Sequence, residues 1–577
     1  MPIKNVADLL VHTLAETGVK RIYGVVGDSL NGITEAIRTH GGLEWVGTRH
    51  EEVAAFAASG ESQVTQELAV CAGSCGPGNL HLINGLFDAH RSRTPVLAIA
   101  AHIPSAEIGS GYFQETHPEH LFKECSHYCE LISHPDQLPY VIENAIRAAV
   151  GQKGVAVIVL PGDVALQASP IKTVSSRASL LPKDPLVIPP EDEIQSLAAL
   201  LNDSPRVAIF AGRGCAGAHE PLMQLADKLK SPIIHALGGK EHVEYDNPFD
   251  VGMTGFIGFE SGYKAMHSCD TLLMLGTDFP YKQFFPHRAK IVQVDIRPEN
   301  LGRRAKLELG VVGDVKETIK ALLPYLNENN DRRFLEAAIK DYKHSRAELD
   351  KLAQPGSRGV IHPQYLTAVV SEKAAEDAIF TADVGTPTVW SARYLQMNGQ
   401  RRLIGSFTHG SMANAMPQAM GIKMAQPERQ VISFSGDGGF SMLMGDLISL
   451  KQHNIPVKVV IFNNGVLGFV ALEMKAAGFL NTGVDLENPN FAQVAQSVGI
   501  YGERVEDPAA LPAAVERFLT HEGPAILDVV TASQELVLPP TIHIEQVKGF
   551  SLWGLRAVMD GKMQHVIDLA RVNLFDR

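Results

Sequence analysis

Two short polar turns follow two apolar segments in the last third of the chain. Gly436–Gly438 reads Gly-Asp-Gly after the apolar run Val431–Ser435, and Asn463–Asn464 follows the run Val457–Phe462. Open α/β sheets bind ligands at the carboxyl ends of their strands. A carboxylate oxygen, an amide oxygen and a backbone carbonyl leave room around an octahedral Mg2+ for diphosphate oxygens and water. The residue types therefore favour a site for Mg2+ and a diphosphate group, and the glycines let the backbone approach phosphate closely.

The complete spacing, Gly-Asp-Gly, 24 residues (439–462) and then Asn-Asn, resembles the signature of thiamine diphosphate enzymes. A lone Gly-Asp-Gly is a common turn, but a strand before each half makes the pair specific. The resemblance implies that Asp437 and Asn464 are side-chain ligands of Mg2+ and that Val466 donates its carbonyl oxygen. It also implies cofactor contacts from both turns, namely Asp437, Gly438, Gly439, Asn464, Gly465, Val466, Leu467, Gly468, Phe469 and Val470.

A second acidic position lies near the N-terminus, where Glu51 and Glu52 open a helical segment, RHEEVAAFAASG. Two glutamates at a helix start ordinarily complement the helix dipole. Thiamine chemistry, however, needs a buried carboxylate that drives tautomerisation of the aminopyrimidine. In the family this glutamate follows a strand and precedes small residues by about two turns, and Glu51 matches that position. We predict Glu51 as the catalytic carboxylate and Glu52 as its neighbour.

Small residues surround Met412 and Met416 in the segment SFTHGSMANAMPQAMG. Methionine at such spacing usually lies in a hydrophobic core. The resemblance implies that Met412 is the apolar wedge that bends thiamine into its reactive shape and that Gly410 accepts a hydrogen bond from the 4′-amino group. Ser411 lies between them and is included in the predicted cofactor site, whereas Met416 is predicted as core.

The central part of the chain has the spacing G-x-G-x-x-G at Gly212, Gly214 and Gly217, between a predicted strand and a predicted helix, which is typical of a dinucleotide fold. A domain that has lost its ligand is the alternative. Over nearly its whole length the sequence resembles the pyruvate oxidase family of the bacterial, quinone-reducing, peripheral-membrane type, whose middle domain binds FAD. The resemblance implies FAD contacts from Thr254, Gly255, Phe256, Ile257, Thr277, Asp278, Phe279, Pro280, Tyr281 and Asp295.

The same resemblance implies where the substrate pyruvate lies. Phe113 and Gln114 belong to a polar loop that borders the substrate in such enzymes. Phe469, Val470 and Glu473 lie within about one helical turn and can face one cavity. Ordinary packing of the apolar residues, with a solvated glutamate, is the alternative for both groups.

The C-terminal tail carries an apolar helical stripe of Met563, Val566, Ile567, Ala570 and Leu574. Its charges nearly balance, so polybasic attraction to lipid is not expected. The stripe is typical of an apolar face that enters the lipid interface, and a packing helix is the alternative. The resemblance implies that the tail docks on the membrane and meets ubiquinone.

The length of 577 residues predicts three or four domains, and short apolar strands alternate with helices. We predict an α/β fold of three doubly wound parallel-sheet domains and a short helical C-terminal tail. The predicted boundaries are 1–182 for a pyrimidine-binding domain, 183–338 for an FAD-binding central domain, 339–530 for a diphosphate-binding domain and 531–577 for an amphipathic membrane-binding tail.

Composition narrows the function classes further. A net charge of −13 argues against a nucleic-acid partner. Six cysteines without disulfide or zinc spacing favour a reducing compartment. The N-terminal segment lacks the apolar core of a signal peptide, and no run is long enough to span a bilayer. We predict a cytoplasmic protein, peripheral on the inner face of the cell membrane.

The resemblance implies oxidative decarboxylation of pyruvate to acetate and CO2 with thiamine diphosphate, Mg2+ and FAD as cofactors and ubiquinone as final acceptor. Because Glu51 and Asp437 lie on different domains, the site is expected to be shared between subunits of a homotetramer. Acetolactate synthase, an oxygen-dependent pyruvate oxidase that yields acetyl phosphate, and a noncatalytic regulatory paralogue are the alternatives.

Overall fold

The computed structural model describes residues 2–356, 359–537, 544–560 and 562–575. It contains three parallel six-stranded sheets covered by helices, followed by short C-terminal helices. The α/β fold class predicted from the sequence is therefore confirmed. The predicted domain boundaries remain predictions.

The first sheet has the strand order β2-β1-β3-β4-β6-β5. Alternate residues of β4 belong to two separate hydrophobic clusters, so both faces of the sheet are covered, as expected for parallel strands. The strands are β1 (Arg21–Gly24), β2 (Glu44–Gly47), β3 (Ala69–Gly73), β4 (Val96–His102), β5 (Tyr128–Leu131) and β6 (Val155–Pro161), and the helices are α1 (Val6–Thr17), α2 (Asn31–His40), α3 (Glu51–Thr65), α4 (Pro77–Arg91), α5 (Pro118–Leu121), α6 (Leu138–Gln152) and α7 (Gly162–Leu166).

The second sheet has the order β12-β11-β10-β7-β8-β9. Successive side chains of β10, one of its two central strands, alternate between two hydrophobic clusters. Helices therefore cover this sheet on both faces. After α8 (Arg177–Leu180) in the connecting segment, the strands are β7 (Val207–Ala211), β8 (Ile233–His235), β9 (Asp250–Met253), β10 (Thr271–Leu275), β11 (Lys290–Asp295) and β12 (Leu309–Val312), and the helices are α9 (Glu191–Asn202), α10 (His219–Leu229), α11 (Lys240–Val243), α12 (Glu260–Ser268), α13 (Val315–Leu322) and α14 (Arg333–Leu352).

The third sheet has the order β14-β13-β15-β16-β18-β17. Its strands are β13 (Ile379–Ala382), β14 (Arg402–Gly405), β15 (Val431–Gly436), β16 (Lys458–Asn463), β17 (Tyr501–Val505) and β18 (Ala525–Val530), and the helices are α15 (Pro363–Lys373), α16 (Thr386–Tyr394), α17 (Ala415–Ala425), α18 (Asp437–Leu443), α19 (Leu447–Gln452), α20 (Gly468–Ala476), α21 (Phe491–Ser497) and α22 (Leu511–Thr520).

The crossover between β15 and β16 consists of two short helices rather than one continuous helix. A 3-10 turn, Met444–Asp446, separates α18 from α19. The carboxylate of Asp446 accepts hydrogen bonds from the backbone N–H of Arg49 and the hydroxyl of Ser449. The first sheet's domain therefore bonds to the crossover at the point where the helix is interrupted.

The first and third domains pack directly on each other through α3 and α17. Gly60 lies against the backbone of Gln418, and Gly421 lies against the backbone of Ala57. A side chain at either glycine would collide with main chain, so these glycines allow the close approach of the two helices. The helix that begins at Glu51 is thereby fixed against the domain that carries Asp437.

The C-terminal segment forms α23 (Ile544–Met559) and α24 (Met563–Ala570), followed by a π-helical turn, Arg571–Phe575. Of the predicted tail, residues 538–543, 561 and 576–577, with the side chain of Leu574, lie outside the described residues. Among the helices that the structure describes, none has the length and apolar character needed to cross a membrane.

Candidate active site

Asp437 lies at the point where β15 ends and α18 begins, and its carboxylate is 3% exposed. One oxygen, Oδ2, accepts hydrogen bonds from the N–H of Asn464 (3.1 Å), the N–H of Gly465 (2.7 Å) and the side-chain amide of Asn488 (2.8 Å). The other, Oδ1, accepts from the N–H of Gly438 at 2.8 Å. Burial raises the pKa of Asp437, and these four donors oppose that shift. The two polar turns are thus joined through one carboxylate.

The register of the sheet explains why the turns meet. Gly436 on β15 pairs with Phe462 on β16, so the two strands end side by side. Asn464 Oδ1 accepts from the N–H of Val466 at 3.1 Å. Val466 faces Asp485 in an antiparallel bridge whose flanking bonds are Leu467 N–H to Val484 and Leu486 N–H to Gly465. In such a non-hydrogen-bonded pair, the N–H and C=O of Val466 point away from Asp485. The Val466 carbonyl therefore lies on the side of Asn464.

These oxygens fit Mg2+. Asp437 Oδ1 and Asn464 Oδ1 each accept one hydrogen bond in the described structure, which leaves a lone pair on each for a metal. Carboxylate, amide and carbonyl oxygens are the donors that Mg2+ prefers. Asp437, Asn464 and Val466 therefore form a suitable set of protein ligands.

Glycines at the surrounding turns provide an open cradle. Gly385, Gly410 and Gly465 have φ angles of 129°, 87° and 69°. A Cβ atom built on any of them would meet no other atom closer than 3.7 Å. The positive φ angles account for glycine at these positions, and the space beside them leaves the backbone open to a ligand. The arrangement suits the diphosphate group predicted from the sequence.

A narrow pocket of about 10 Å³ adjoins this cradle and is lined in part by Asn464, Thr386, Gly468 and Trp390. Thr386 is the first residue of α16 and Gly468 is the first residue of α20. Helix N-termini present free N–H groups and a positive partial charge. Two helices therefore direct their N-termini toward the same region, which favours an anionic group there.

Met412 belongs to the loop before α17 and extends toward the Gly-Asp-Gly turn. Its Cε lies 3.5 Å from the position that a Cβ on Gly438 would occupy. Met416, by contrast, is buried in the core formed by the first and third domains. The structure thus places Met412 beside the Gly-Asp-Gly turn and Met416 in the core, and the role of Met412 stays a prediction.

Glu51 is the first residue of α3 and is 7% exposed. Its Oε2 lies 2.8 Å from Nδ1 of His81 on α4. Its Oε1 lies beside Gly78, where a Cβ would approach it to 3.0 Å. The ring of His81 stacks on His50 with centroids 4.4 Å apart. Glu51 is therefore a buried carboxylate with an oriented imidazole partner, rather than a solvated charge at a helix start.

Asn84 connects this helix start to the Met412 loop. Its amide nitrogen donates to Oε1 of Glu52 at 2.7 Å and to the hydroxyl of Ser411 at 2.9 Å, and its oxygen lies 2.8 Å from Nε2 of His409. Glu52 thus has a structural role next to Glu51. The predicted residues Ser411 and Glu51 lie on segments joined by one amide.

The predicted substrate loop lies against the turn before α4. Gln114 contacts Gly76, and its Oε1 is 3.3 Å from the sulfur of Cys75. Its backbone has a φ of 62°, and the ring of the adjacent Phe113 is 78% exposed. Gln114 is therefore near the segment that touches Glu51, while Phe113 extends into solvent in the single chain.

The predicted FAD residues lie at the carboxyl edge of the second sheet, after β9, β10 and β11. The hydroxyl of Thr254 is buried without a hydrogen-bond partner in the described structure, and Gly255 has a φ of 103°. Asp295 is 4% exposed and accepts from Arg297 N–H and Asn300, and burial raises its pKa. An unpaired buried hydroxyl at the end of a strand fits a dinucleotide at this edge.

Two residues of the same prediction have other partners. Asp278 forms ion pairs with Arg303 (3.1 Å) and Arg304 (2.9 Å). Phe279 is 8% exposed and belongs to a hydrophobic core cluster. The side chains of these two residues therefore serve the domain itself, and only their backbone is left for a ligand. Thr277, Pro280, Phe256 and Tyr281 are located at the same edge, and the rings of Phe256 and Tyr281 lie 4.7 Å apart.

Helix α20 brings the predicted substrate residues near this aromatic pair. Burial and, after it, the charge of Glu473 raise the pKa of Tyr281, which places Glu473 within electrostatic range of the central domain. Val470 is 40% exposed and Glu473 is also exposed, whereas Phe469 packs against the core of the third domain. Of the three residues, Phe469 alone lies on the inner face of α20 in the single chain.

Sequence reasoning missed several residues of the site. Asn488 and Asn84 were hidden because an asparagine in a loop or helix carries no positional signal. His81 lies 30 residues from Glu51 and pairs with it only in three dimensions. Asp383, fully buried at the end of β13, accepts from Ala415 N–H, and its other oxygen has no partner in the described structure. Burial raises the pKa of Asp383 to about 7.

Comparison with known families identifies three consecutive matches along the chain. Residues 4–121 match the thiamine pyrophosphate enzyme N-terminal TPP binding domain, residues 194–322 match the central domain, and residues 383–529 match the C-terminal TPP binding domain. The last match contains both polar turns, and the first contains Glu51.

Three relatives illustrate the range of similarity. An uncharacterized 42.6 kDa protein from the isoamylase 3′ region of Pseudomonas amyloderamosa is 66% identical over 354 residues, 61% of this chain and 89% of that protein. Pyruvate oxidase of Lactiplantibacillus plantarum is 30% identical over 90% of this chain and 87% of its own. A probable acetolactate synthase large subunit of Methanocaldococcus jannaschii is 30% identical over 92% of this chain and 93% of its own.

Proposed function

Because the chain belongs to the thiamine pyrophosphate enzyme family, we propose that it oxidises pyruvate and water to acetate and CO2 and passes two electrons through FAD to ubiquinone. The ubiquinone leaves as ubiquinol, which balances the two electrons and two protons. Pyruvate appears in the name of one relative, and the chemistry of the site is compatible with a small 2-keto acid.

The residues that would hold the cofactors follow from the site. Asp437, Asn464 and the carbonyl of Val466 would hold Mg2+, and the glycine cradle with the N-termini of α16 and α20 would hold the diphosphate. The edge formed by Thr254, Gly255 and Asp295 would hold FAD. Thiamine diphosphate, when bound, supplies a nucleophilic carbon and an electron sink for decarboxylation, and FAD supplies a two-electron acceptor.

Glu51 would exchange the proton at N1′ of the aminopyrimidine. Its burial keeps water from competing for the carboxylate, and His81 fixes Oε2 so that Oε1 remains for the ring. Met412 would support the bent shape of the cofactor from below. Gln114, beside the turn before α4, and Glu473, exposed on α20, would orient the substrate carboxylate and the leaving group.

The tail is the single observation that favours the quinone-linked form. Seven large apolar side chains in the tail are more than 40% exposed: Val547, Leu552, Leu555, Val558, Met559, Met563 and Ile567. On its other face, α23 packs Trp553 against α20, where Nζ of Lys475 lies 5.4 Å from the centroid of the indole ring. Arg556 of α23 donates to the carbonyl of Gly478 at 2.6 Å. This apolar surface is attached to α20, the helix that carries predicted substrate residues. Such a surface suits a lipid interface where ubiquinone is dissolved. We accordingly propose a peripheral membrane protein on the cytoplasmic face.

Two alternatives are about as well supported by the relatives as the quinone-linked reaction. Acetolactate synthase would join two pyruvate molecules without net oxidation, and an oxygen-dependent pyruvate oxidase would form acetyl phosphate and peroxide. The exposed tail surface is the reason to prefer the quinone-linked reaction. Assembly as a homotetramer, with each thiamine site completed by a second subunit, belongs to the same proposal and is tested by light scattering.

The test is anaerobic addition of pyruvate to purified protein that carries both cofactors. We expect the flavin absorbance to bleach and to return when a soluble ubiquinone is added, with one acetate formed per quinone. Glu51→Gln is the matched control, since it keeps the shape of the side chain and removes the carboxylate. Protein without flavin, acetolactate as the product, or a requirement for phosphate and oxygen would each refute the proposal.

A further inference from the structure

Helix α16 spans the distance between the two predicted cofactor sites. It begins at the Gly385–Thr386 turn of the thiamine site and ends at Arg393–Tyr394, beside the central domain. Its nine residues correspond to about 13 Å at the rise of an α-helix. Eight of its nine residues, Pro387–Tyr394, are buried, so the helix is held as a rigid body in the third domain.

Arg393 bonds the central domain from the far end of this helix. Its Nε donates to the carbonyl of Ile257 at 3.0 Å, and its Nη2 donates to the carbonyl of Gly258 at 3.1 Å. The residue is 7% exposed, and burial lowers the pKa of its guanidinium to about 10, so it stays charged at neutral pH. Hydrogen bonds from an ionised donor are stronger than neutral ones, and two from one planar group fix direction as well as distance.

The two carbonyls belong to the loop that carries the predicted FAD contacts Thr254–Ile257. The N–H of Gly258 donates to the carbonyl of Gly255, and the N–H of Phe259 donates to the carbonyl of Met253, so the loop closes on itself as a turn. The side chain of Ile257 packs against the core of the third domain, which includes Trp390 and Tyr394. The loop is therefore attached to α16 by two hydrogen bonds and by apolar packing.

Arg346 on α14 strengthens this junction. Its guanidinium lies 5.8 Å from the ring of Phe259 and 5.5 Å from the ring of Tyr394, and it donates to the carbonyl of Arg393. The end of α16 and the end of the loop are thus held by the same cation. The junction leaves little freedom for the loop to move independently of the helix.

We propose that Arg393 is a positioning residue that couples the two cofactor sites, because it fixes the FAD loop to the helix whose N-terminus faces the thiamine diphosphate. The proposal rests on the proposed function in that it takes both cofactors as ligands. Energetic coupling between two sites is reciprocal. If α16 carries this coupling, Mg2+ and thiamine diphosphate together should tighten FAD binding by a certain factor. FAD should then tighten the binding of thiamine diphosphate by the same factor.

The experiment compares Arg393→Met and Arg393→Lys with Arg401→Met as the matched control. Arg401 is also buried, at 8% exposure, and its guanidinium also bonds backbone carbonyls, those of Ala374, Ala375 and Gln396, but it lies away from the FAD loop. FAD affinity is measured by flavin fluorescence with and without Mg2+ and thiamine diphosphate. Thiamine diphosphate affinity is measured by quenching of tryptophan fluorescence with and without FAD.

For the wild type we expect each cofactor to tighten the other at least about threefold. Arg393→Met should weaken FAD binding at least about tenfold, the equivalent of one charge-assisted hydrogen bond, and should reduce the coupling factor to about one. Arg393→Lys, which keeps the charge but not the planar fork, should fall between the two. If Arg393→Met does not fold, the lysine variant alone decides the comparison. Arg401→Met should leave the coupling unchanged.

The inference would be overturned if both Arg393 variants kept the FAD affinity and the coupling factor of the wild type. It would also be overturned if Arg401→Met lost as much FAD affinity and coupling as Arg393→Met. Wild-type protein that binds thiamine diphosphate but no FAD would instead overturn the proposed function, and the coupling proposal with it. The two failures are distinguished by the flavin titration of the wild type alone.

Discussion

Substitution of Asp437 separates its two roles, because its carboxylate both joins the polar turns and supplies the negative charge of the predicted metal site. Asp437→Ala removes both. Asp437→Asn keeps an oxygen that can accept from the N–H groups of Asn464 and Gly465, and removes the charge. Asn488→Ala removes one donor to the carboxylate and leaves the predicted ligands in place.

The expected magnitudes follow from the hydrogen bonds. In Asp437→Ala, three half-buried donors on Asn464, Gly465 and Asn488 lose the acceptor Oδ2. Each donor left without an acceptor costs about 1 kcal/mol, the low end of the range, because water can enter the adjoining pocket. The cofactor-free protein should therefore lose about 3 kcal/mol of stability. Asp437→Asn should change that stability by less than about 1 kcal/mol. The amide accepts weaker hydrogen bonds than the carboxylate, but it also avoids the cost of burying a negative charge, which is what raises the Asp437 pKa. It should weaken Mg2+-dependent cofactor binding at least about 100-fold, since the site loses its negative ligand.

Two measurements check this reasoning. Urea unfolding in EDTA, followed by tryptophan fluorescence, reports the stability of the cofactor-free protein. Titration with Mg2+ at fixed thiamine diphosphate reports the metal site, and Asn488→Ala should shift that titration by less than about fivefold. Asp437→Ala as stable as the wild type would show that the carboxylate does not join the turns. Asp437→Asn with wild-type Mg2+ affinity would refute its role as a ligand.

Three further predictions concern other parts of the site. Glu51→Gln should lower turnover at least about 100-fold while changing the Kd for thiamine diphosphate less than about tenfold, since the carboxylate moves a proton rather than holding the diphosphate; a parallel loss of both would contradict this. Burial raises the pKa of Asp383 from 3.8 to about 7, so the folded protein holds a proton that the unfolded chain releases; Asp383 should therefore contribute a loss of about 2 to 3 kcal/mol of stability between pH 5 and pH 8, and Asp383→Asn should lessen the pH dependence of urea unfolding by that amount. Replacing the exposed Leu555 and Met559 with Asp should weaken binding to phospholipid vesicles at least about tenfold, whereas the same change at the exposed Leu186 and Ile188 of the interdomain segment should not; equal effects would refute a specific tail surface.

The sequence predicted the third domain's polar turns well because the relevant contacts are local to the sheet. Two adjacent parallel strands that end at the same level must bring their following residues together, and β15 and β16 are such a pair. The broken crossover was not predictable in the same way, since its interruption coincides with hydrogen bonds from Arg49 and Ser449 to Asp446. Arg49 belongs to the first domain, and no local pattern in the crossover reveals that partner.

Side-chain direction was the other limit of the sequence prediction. Loop position places Asp278 and Phe279 at the ligand edge, but the ion pairs of the first and the core packing of the second depend on distant residues. Strands β2 and β5 are only four residues long and not fully buried, so they lack the apolar run that identifies the other strands of that sheet. Arg393 is an arginine near the end of a buried helix, and its carbonyl partners lie about 135 residues earlier in the chain.

Two helices begin at the predicted metal site and lead to different parts of the molecule. Gly468 at the start of α20 lies against both Asn464 and Thr386, so α20 and α16 begin at the same place. From there α16 leads to the predicted FAD loop through Arg393, and α20 leads to the tail through Lys475 and Trp553. A ligand that orders the shared starting point lowers the freedom of both helices at once, since packed helices move as rigid bodies rather than bending. Binding of Mg2+ and the diphosphate should therefore be felt at the flavin edge and at the tail together, and a change confined to one of them would place the coupling outside these helices.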